Sequence, residues 1–203
     1  MVSSDGGMPE RLTSISESDE REPDWSPDGT QIVYRATPAE EQRNSNGDIR
    51  VLNVVTLNSI NLGIEGRSPV WSPDGTQLAY MSDESGRWQI YIYDLKSRSK
   101  TRLTNCEVNC RWPAWSPDGR FVAYNTTPSA RTTDPAGVYY IPVSGGKPVM
   151  VITSDEPGRP SWSTSGWIAF NSSKGIEIIE PNGSSRKTLV SEGNDVWAPI
   201  WSR

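Results

Sequence analysis

The sequence predicts an all-β fold, a β-propeller of four-stranded blades, and three observations carry the prediction. The pentapeptide Trp-Ser-Pro-Asp-Gly stands at Trp25–Gly29, Trp71–Gly75 and Trp115–Gly119, with an altered copy from Trp162 and a last beginning at Trp201-Ser202. Successive starts lie 46, 44, 47 and 39 residues apart, a period that marks a modular array. The chain is poor in aliphatic bulk, with a mean hydropathy of −0.60, yet holds 9 tryptophans and 7 tyrosines, which suit packing between sheets.

Each unit repeats the same elements in order. Two residues before the key tryptophan comes a proline, at Pro23, Pro69, Pro113, Pro160 and Pro199. Proline has no N–H to donate, so it suits the first residue of a strand or a sheet edge, and Pro-x-Trp-Ser predicts a short inner strand. Ser-Pro-Asp-Gly then has turn chemistry throughout: Pro presets φ, Asp holds backbone amides and Gly accepts positive φ. Asp28, Asp74 and Asp118 lie in separate turns, none with the clustered oxygens of a calcium loop. The expected role of Trp25, Asp28 and Gly29, of Trp71, Asp74 and Gly75, of Trp115, Asp118 and Gly119, and of Trp162 and Trp201 is therefore structural. No metal and no cofactor are expected.

A compact apolar strand follows each turn: Ile32-Val33-Tyr34, Leu78-Ala79-Tyr80, Val122-Ala123-Tyr124 and Ile168-Ala169-Phe170. The fourth turn is one residue shorter and is expected to be altered, not lost. Third strands are predicted at 49–54, 89–93, 138–143 and 176–179, and polar fourth strands at 100–104 and 185–190, a polarity that protects sheet edges. Four such strands, repeated, describe a propeller blade.

Register sets the architecture. Residues 8–14, with Glu10-Arg11-Leu12-Thr13, match an outer fourth strand, whereas Pro199–Ser202 match an innermost strand. The expected arrangement is four blades, at about 22–62, 68–104, 112–152 and 159–190, behind a flexible segment 1–8. An orphan outer strand lies at the N-terminus and an orphan inner strand at 197–203. This predicts an arc or partial propeller, with self-association to complete the ring as one possibility.

Composition excludes several functions. The net charge of −5 resides in the first 24 residues, where seven acids face two arginines, and the rest is balanced. No basic footprint for nucleic acid and no span for membrane insertion is visible. The chain has no histidine, so a Ser-His-Asp triad, a Cys-His pair and any His-containing metal site are out of reach. No Gly-x-Ser-x-Gly elbow or P-loop occurs, and the expectation is that the chain is not an enzyme. Cys106 and Cys110 sit four apart; an oxidising compartment would favour a loop-closing disulfide, a reducing one two thiols.

The units resemble the TolB-type, WD40-like β-propeller repeat. The second matches almost throughout: Pro69, Trp71-Ser72-Pro73-Asp74-Gly75, Leu78-Ala79-Tyr80, Ile90-Tyr91-Ile92-Tyr93-Asp94 and Arg102-Leu103-Thr104. The likeness spans residues 9–203. It implies a protein- or peptide-binding scaffold of the bacterial envelope, periplasmic or extracellular, although no signal peptide is visible and a cytoplasmic site stays open. Related propellers also gate substrates for serine peptidases or form extracytoplasmic sensors of kinases, and these are the alternatives.

Candidate binding residues come from a second periodic position. Arg21, Arg67 and Arg111 each precede the key tryptophan by four, a position held by Gly158 and Trp197 in the later units. Blades arranged about an axis would bring these arginines to one face near a channel mouth, flanked by Trp112 and Arg159, where guanidinium forks could grip a carboxylate or an acidic peptide. The competing expectation is that each arginine pairs with a nearby acid such as Glu22, Glu65 or Glu107.

Overall fold

The computed structural model describes residues 8, 11–13, 18–38, 45–127, 135–154, 157–191 and 199–201; Trp197 lies outside them, as do most of the segment 1–8 and of the long loops after the first and third units' second strands. Within them the fold is all-β and antiparallel. The first blade comprises β1 (Ser18–Trp25), β2 (Gln31–Pro38), β3 (Gly47–Asn53) and the first half of β4 (Ser59–Trp71). The second half of β4 is the inner strand of the next blade, followed by β5 (Gln77–Ser82), β6 (Gln89–Asp94) and β7 (Ser99–Arg102). Because β4 serves both, these strands form one seven-stranded sheet. The third blade holds β8 (Cys110–Trp115), β9 (Phe121–Thr126), β10 (Gly137–Pro142) and β11 (Val149–Thr153). The fourth holds β12 (Ser161–Trp162), β13 (Ile168–Ser172), β14 (Gly175–Ile179) and β15 (Arg186–Val190). The result is an open arc of four four-stranded blades.

Pro23, Pro69 and Pro113 do not begin the inner strands, as the sequence suggested, but interrupt them, whereas the fourth inner strand starts directly after Pro160. Ladder register shifts between Arg21 and Asp24, between Arg67 and Val70 and between Arg111 and Ala114. The residue before each proline, Glu22, Ser68 or Trp112, takes φ of 57°, 49° or 57°. A proline cannot donate to the ladder, so the innermost strand bulges around it, and the bulge re-aims its side chains toward the axis.

The turns show why serine and aspartate recur. Ser72 Oγ donates to Asp74 Oδ1 at 2.6 Å and accepts the Gln77 N–H at 2.9 Å, while Asp74 accepts the Thr76 N–H at 3.0 Å. The bonds recur around Ser26 and Ser116. In the altered fourth turn Ser163 keeps the hub, accepting the Trp167 N–H at 2.9 Å, and Ser165 stands in for aspartate. Successive turns also touch: a Cβ on Gly75 would lie 3.6 Å from Pro27, and one on Gly119 3.4 Å from Pro73.

The core is the set of faces between blades. Val33, Ile49 and Val51 meet Trp71, Leu78 and Tyr80 between the first two blades; Met81 and Ile90 meet Trp115 and Tyr124 between the next two; Val138 and Val151 meet Ile168 and Phe170 between the last two. From the second blade on, the key tryptophan seals its blade to the one before. Trp71 and Trp115 are 2% and 9% exposed, whereas Trp25, in the first blade, is 43% exposed.

The two segments expected as orphan strands carry no ladder pairing among the described residues. Leu12 packs on Tyr34, Ala36 and Leu52, and the Trp201 N–H donates to Ser161 Oγ at 3.2 Å, while Pro199 has no N–H to offer. Cys106 and Cys110 are joined as a disulfide, Cα atoms 6.2 Å apart, closing the loop that leads into β8.

Candidate functional site at the channel mouth

The inner strands surround a cavity of about 430 Å³. Its wall is the ring of repeated prolines, Pro23, Pro69, Pro113, Pro160 and Pro199, with the turn prolines Pro27, Pro73 and Pro117 at the end where the strands run out. At the entry end stand Glu22, Ser68 and Trp112, which the bulges turn inward, and Arg159 at the equivalent position of the fourth unit. Equivalent backbone positions thus present a carboxylate, a hydroxyl, an indole and a guanidinium to one opening.

Behind this ring the arginines gather. Glu22 accepts from Arg67 Nη2 at 3.3 Å, lies 3.3 Å from Arg35 Nε, and accepts the Ser68 N–H at 2.8 Å. Arg159 stacks on Trp112, its Cζ 3.5 Å from the ring centroid, and Arg67 lies over Trp88 at 5.7 Å. Such stacking fixes a guanidinium plane while leaving its edge free to donate.

Burial depresses the Arg111 guanidinium below its ordinary value, and the like charge of Arg67 depresses it further. Burial likewise lowers Arg159, with Glu22 opposing and Arg67 reinforcing the effect, and it lowers Arg35, again opposed chiefly by Glu22. All stay charged near neutrality, because an arginine titrates far above it. The mouth is therefore a cationic surface held partly out of water around Glu22, with Asp24, which accepts the Trp71 N–H at 2.7 Å, also on the cavity wall.

The predicted residues divide accordingly. Arg67, Arg111, Trp112 and Arg159 come together. Arg21 turns instead to Asp19, two residues back on the same strand, at 2.6 Å. Gly158 holds the arginine position of the fourth blade because a Cβ there would collide with the Asn171 side chain. Sequence reasoning missed Arg35, whose ladder pairing with Arg21 was implicit in the repeat register, and it placed Glu22 as a local partner where it reaches into the next blade. Asn46 Nδ2 donates to Asp83 Oδ1 at 2.6 Å, tying the loops of the first two blades together.

The sequence profile of the TolB beta propeller domain matches residues 1–203. In a search of curated proteins, none matches. Among solved structures the chain is similar to TolB from Acinetobacter baumannii, at 24% identity over 86% of this chain and 44% of that one, TM-score 0.70. It is similar to a putative TolB from Agrobacterium tumefaciens at 25% identity over 74% and 55%, TM-score 0.60. An acylaminoacyl peptidase from Pyrococcus horikoshii shares the fold at 16% identity over 87% and 33%, TM-score 0.65. The chain spans about half the length of the TolB chains that it matches.

Proposed function

The chain belongs to the TolB β-propeller domain family, and from that premise we propose that it is a non-catalytic scaffold of the bacterial envelope whose channel mouth docks a protein or peptide. The observation that carries this reading is the stacked pair Trp112 and Arg159 on the opening of a proline-lined channel, with Arg67 and Arg111 close behind. A rigid frame that presents varied side chains at one opening is how repeat scaffolds recognise partners. The absence of histidine from the sequence removes the common acid–base and nucleophilic machinery and supports a binding role. A second reading, a propeller that filters substrates for a peptidase domain elsewhere in a longer chain, draws on the same channel and on the shared fold of the peptidase propeller.

Site-specific photocrosslinking tests the proposal. A crosslinking residue at Ala114, on the channel wall, is expected to capture a discrete protein partner from envelope extract, and one at Lys100, on an exposed outer edge, is not. Equal labelling from both positions, or turnover of peptide or ester substrates by the purified chain, would overturn it. Capture of peptides without any fixed protein partner would favour the filtering role.

A further inference from the structure

Glu22 shows how this fold holds a carboxylate. One oxygen takes the backbone N–H of Ser68 at 2.8 Å and the other takes Arg67 Nη2 at 3.3 Å, so a bulge of one blade supplies an amide and an arginine to an acid from the blade before. Repeat symmetry places the same construction between the second and third blades. Ser68 there occupies the position of Glu22, with φ 49° against 57°, and Arg111 and Trp112 occupy those of Arg67 and Ser68.

The acid itself is missing from this second copy. Ser68 Oγ is buried with no hydrogen-bond partner, as are Nε of Arg111 and Nε of Arg67. Serine is neutral and too short to reach where the Glu22 carboxylate reaches. Among the described residues Arg111 makes no ion pair, and the charge beside it is the like charge of Arg67. A guanidinium withdrawn from water and facing another cation is costly unless an anion joins it.

We infer that the space between the second and third blades, bounded by Ser68, Arg67, Arg111 and Trp112, is a carboxylate-binding subsite that takes an acidic group of the docked peptide. This rests on the peptide-docking reading above and specifies its chemistry. The carboxylate enters from the channel, which Ser68 and Trp112 line, and binds Arg111 as Glu22 binds Arg67. The prolines of the wall and the indole of Trp112, backed by Arg159, receive the rest of the segment. Glu22 already satisfies the first copy, so one carboxylate is recognised here.

Nuclear magnetic resonance of the arginine Nε–H groups in the labelled chain reads the subsite directly. Four probes are compared: the blocked tripeptides acetyl-Pro-Glu-Pro-amide and acetyl-Pro-Gln-Pro-amide, acetyl-Pro-Pro with a free C-terminus, and inorganic phosphate. The glutamate peptide is expected to shift the Arg111 signal and to bind about tenfold tighter than its glutamine twin, the factor of one charge-assisted hydrogen bond. Tighter binding of the free-terminus probe would identify a chain end as the source of the carboxylate.

Arg111→Gln should erase the difference between the first two probes. Ser68→Glu, at a backbone angle that Glu22 already adopts, should supply the acid internally, abolish glutamate-peptide binding and raise Tm by about 3 °C. Equal binding of the glutamate and glutamine peptides, an unchanged Arg111→Gln variant, or phosphate binding tighter than either acid would overturn the inference. Failure of every probe would do so too, and capture at Ala114 would then leave the docking reading standing alone.

Discussion

The indole N–H of Trp115 donates to the backbone oxygen of Val70, 3.2 Å away in the preceding blade. The repeated tryptophan is thus a clamp between blades as well as core filling. Trp115→Phe should cost about 1–3 kcal/mol in urea denaturation, from a lost hydrogen bond and unfilled volume. Trp25→Phe, at a half-exposed indole, should cost less than about 0.5 kcal/mol. Equal costs would mean that the tryptophans act within their own blades.

Gly158 and Asn171 are packed so closely that no side chain fits at 158. The Asn125 amide completes the site by donating to the Pro157 and Gly158 oxygens at 2.6 and 3.1 Å. Gly158→Ala should destabilise by about 1–3 kcal/mol through overpacking, and Asn171→Ala in the same chain should recover most of that loss. Additive effects of the two substitutions would argue against contact as the cause.

Glu177 is buried in the fourth blade, where Arg186 donates through Nε at 2.8 Å and Nη2 at 2.6 Å and Ser172 through Oγ at 2.5 Å. Burial raises its carboxyl, but these hydrogen bonds outweigh it and hold the group below its ordinary value. Arg186→Ala should cost about 3 kcal/mol by stranding the buried Glu177 carboxylate, and Glu177→Leu with Arg186→Leu should cost less than the single substitution. Thermal unfolding of the two variants decides the matter.

Acid should weaken the blade turns. Hydrogen bonds from the turn serines, chiefly, lower the Asp28, Asp74 and Asp118 carboxyls. Each is more acidic folded than unfolded, so its contribution is complete above the unfolded value of about 3.9 and is lost as pH falls through the folded value. Stability set by these groups should be flat from neutrality to about pH 4.5 and decline below it. Asp74→Asn with Asp118→Asn should make that decline shallower, as followed by unfolding at stepped pH.

The blades and their corners were legible because their causes are local. A proline that cannot donate, a serine that bonds five residues onward and a glycine at positive φ act within one short stretch, and each stretch recurs. The site was legible only where the repeat was exact. Arg67 and Arg111 met as their spacing suggested, but Arg21 has Asp19 beside it on the same strand, and Gly158 yields to Asn171. Arg35 carried no period of its own and emerged only from strand pairing.

By itself the sequence determined the all-β class, the number of blades and the structural role of the recurring tryptophan corner, since these follow from periodic, short-range chemistry. Tertiary structure alone decided which charges meet. The contact between Glu22 and Ser68 joins residues 46 apart, and it exists because a proline bulge in one blade aims an acid at the amide of the next. That same geometry, repeated with serine in place of glutamate, leaves the buried Nε of Arg111 without a hydrogen-bond partner among the described residues.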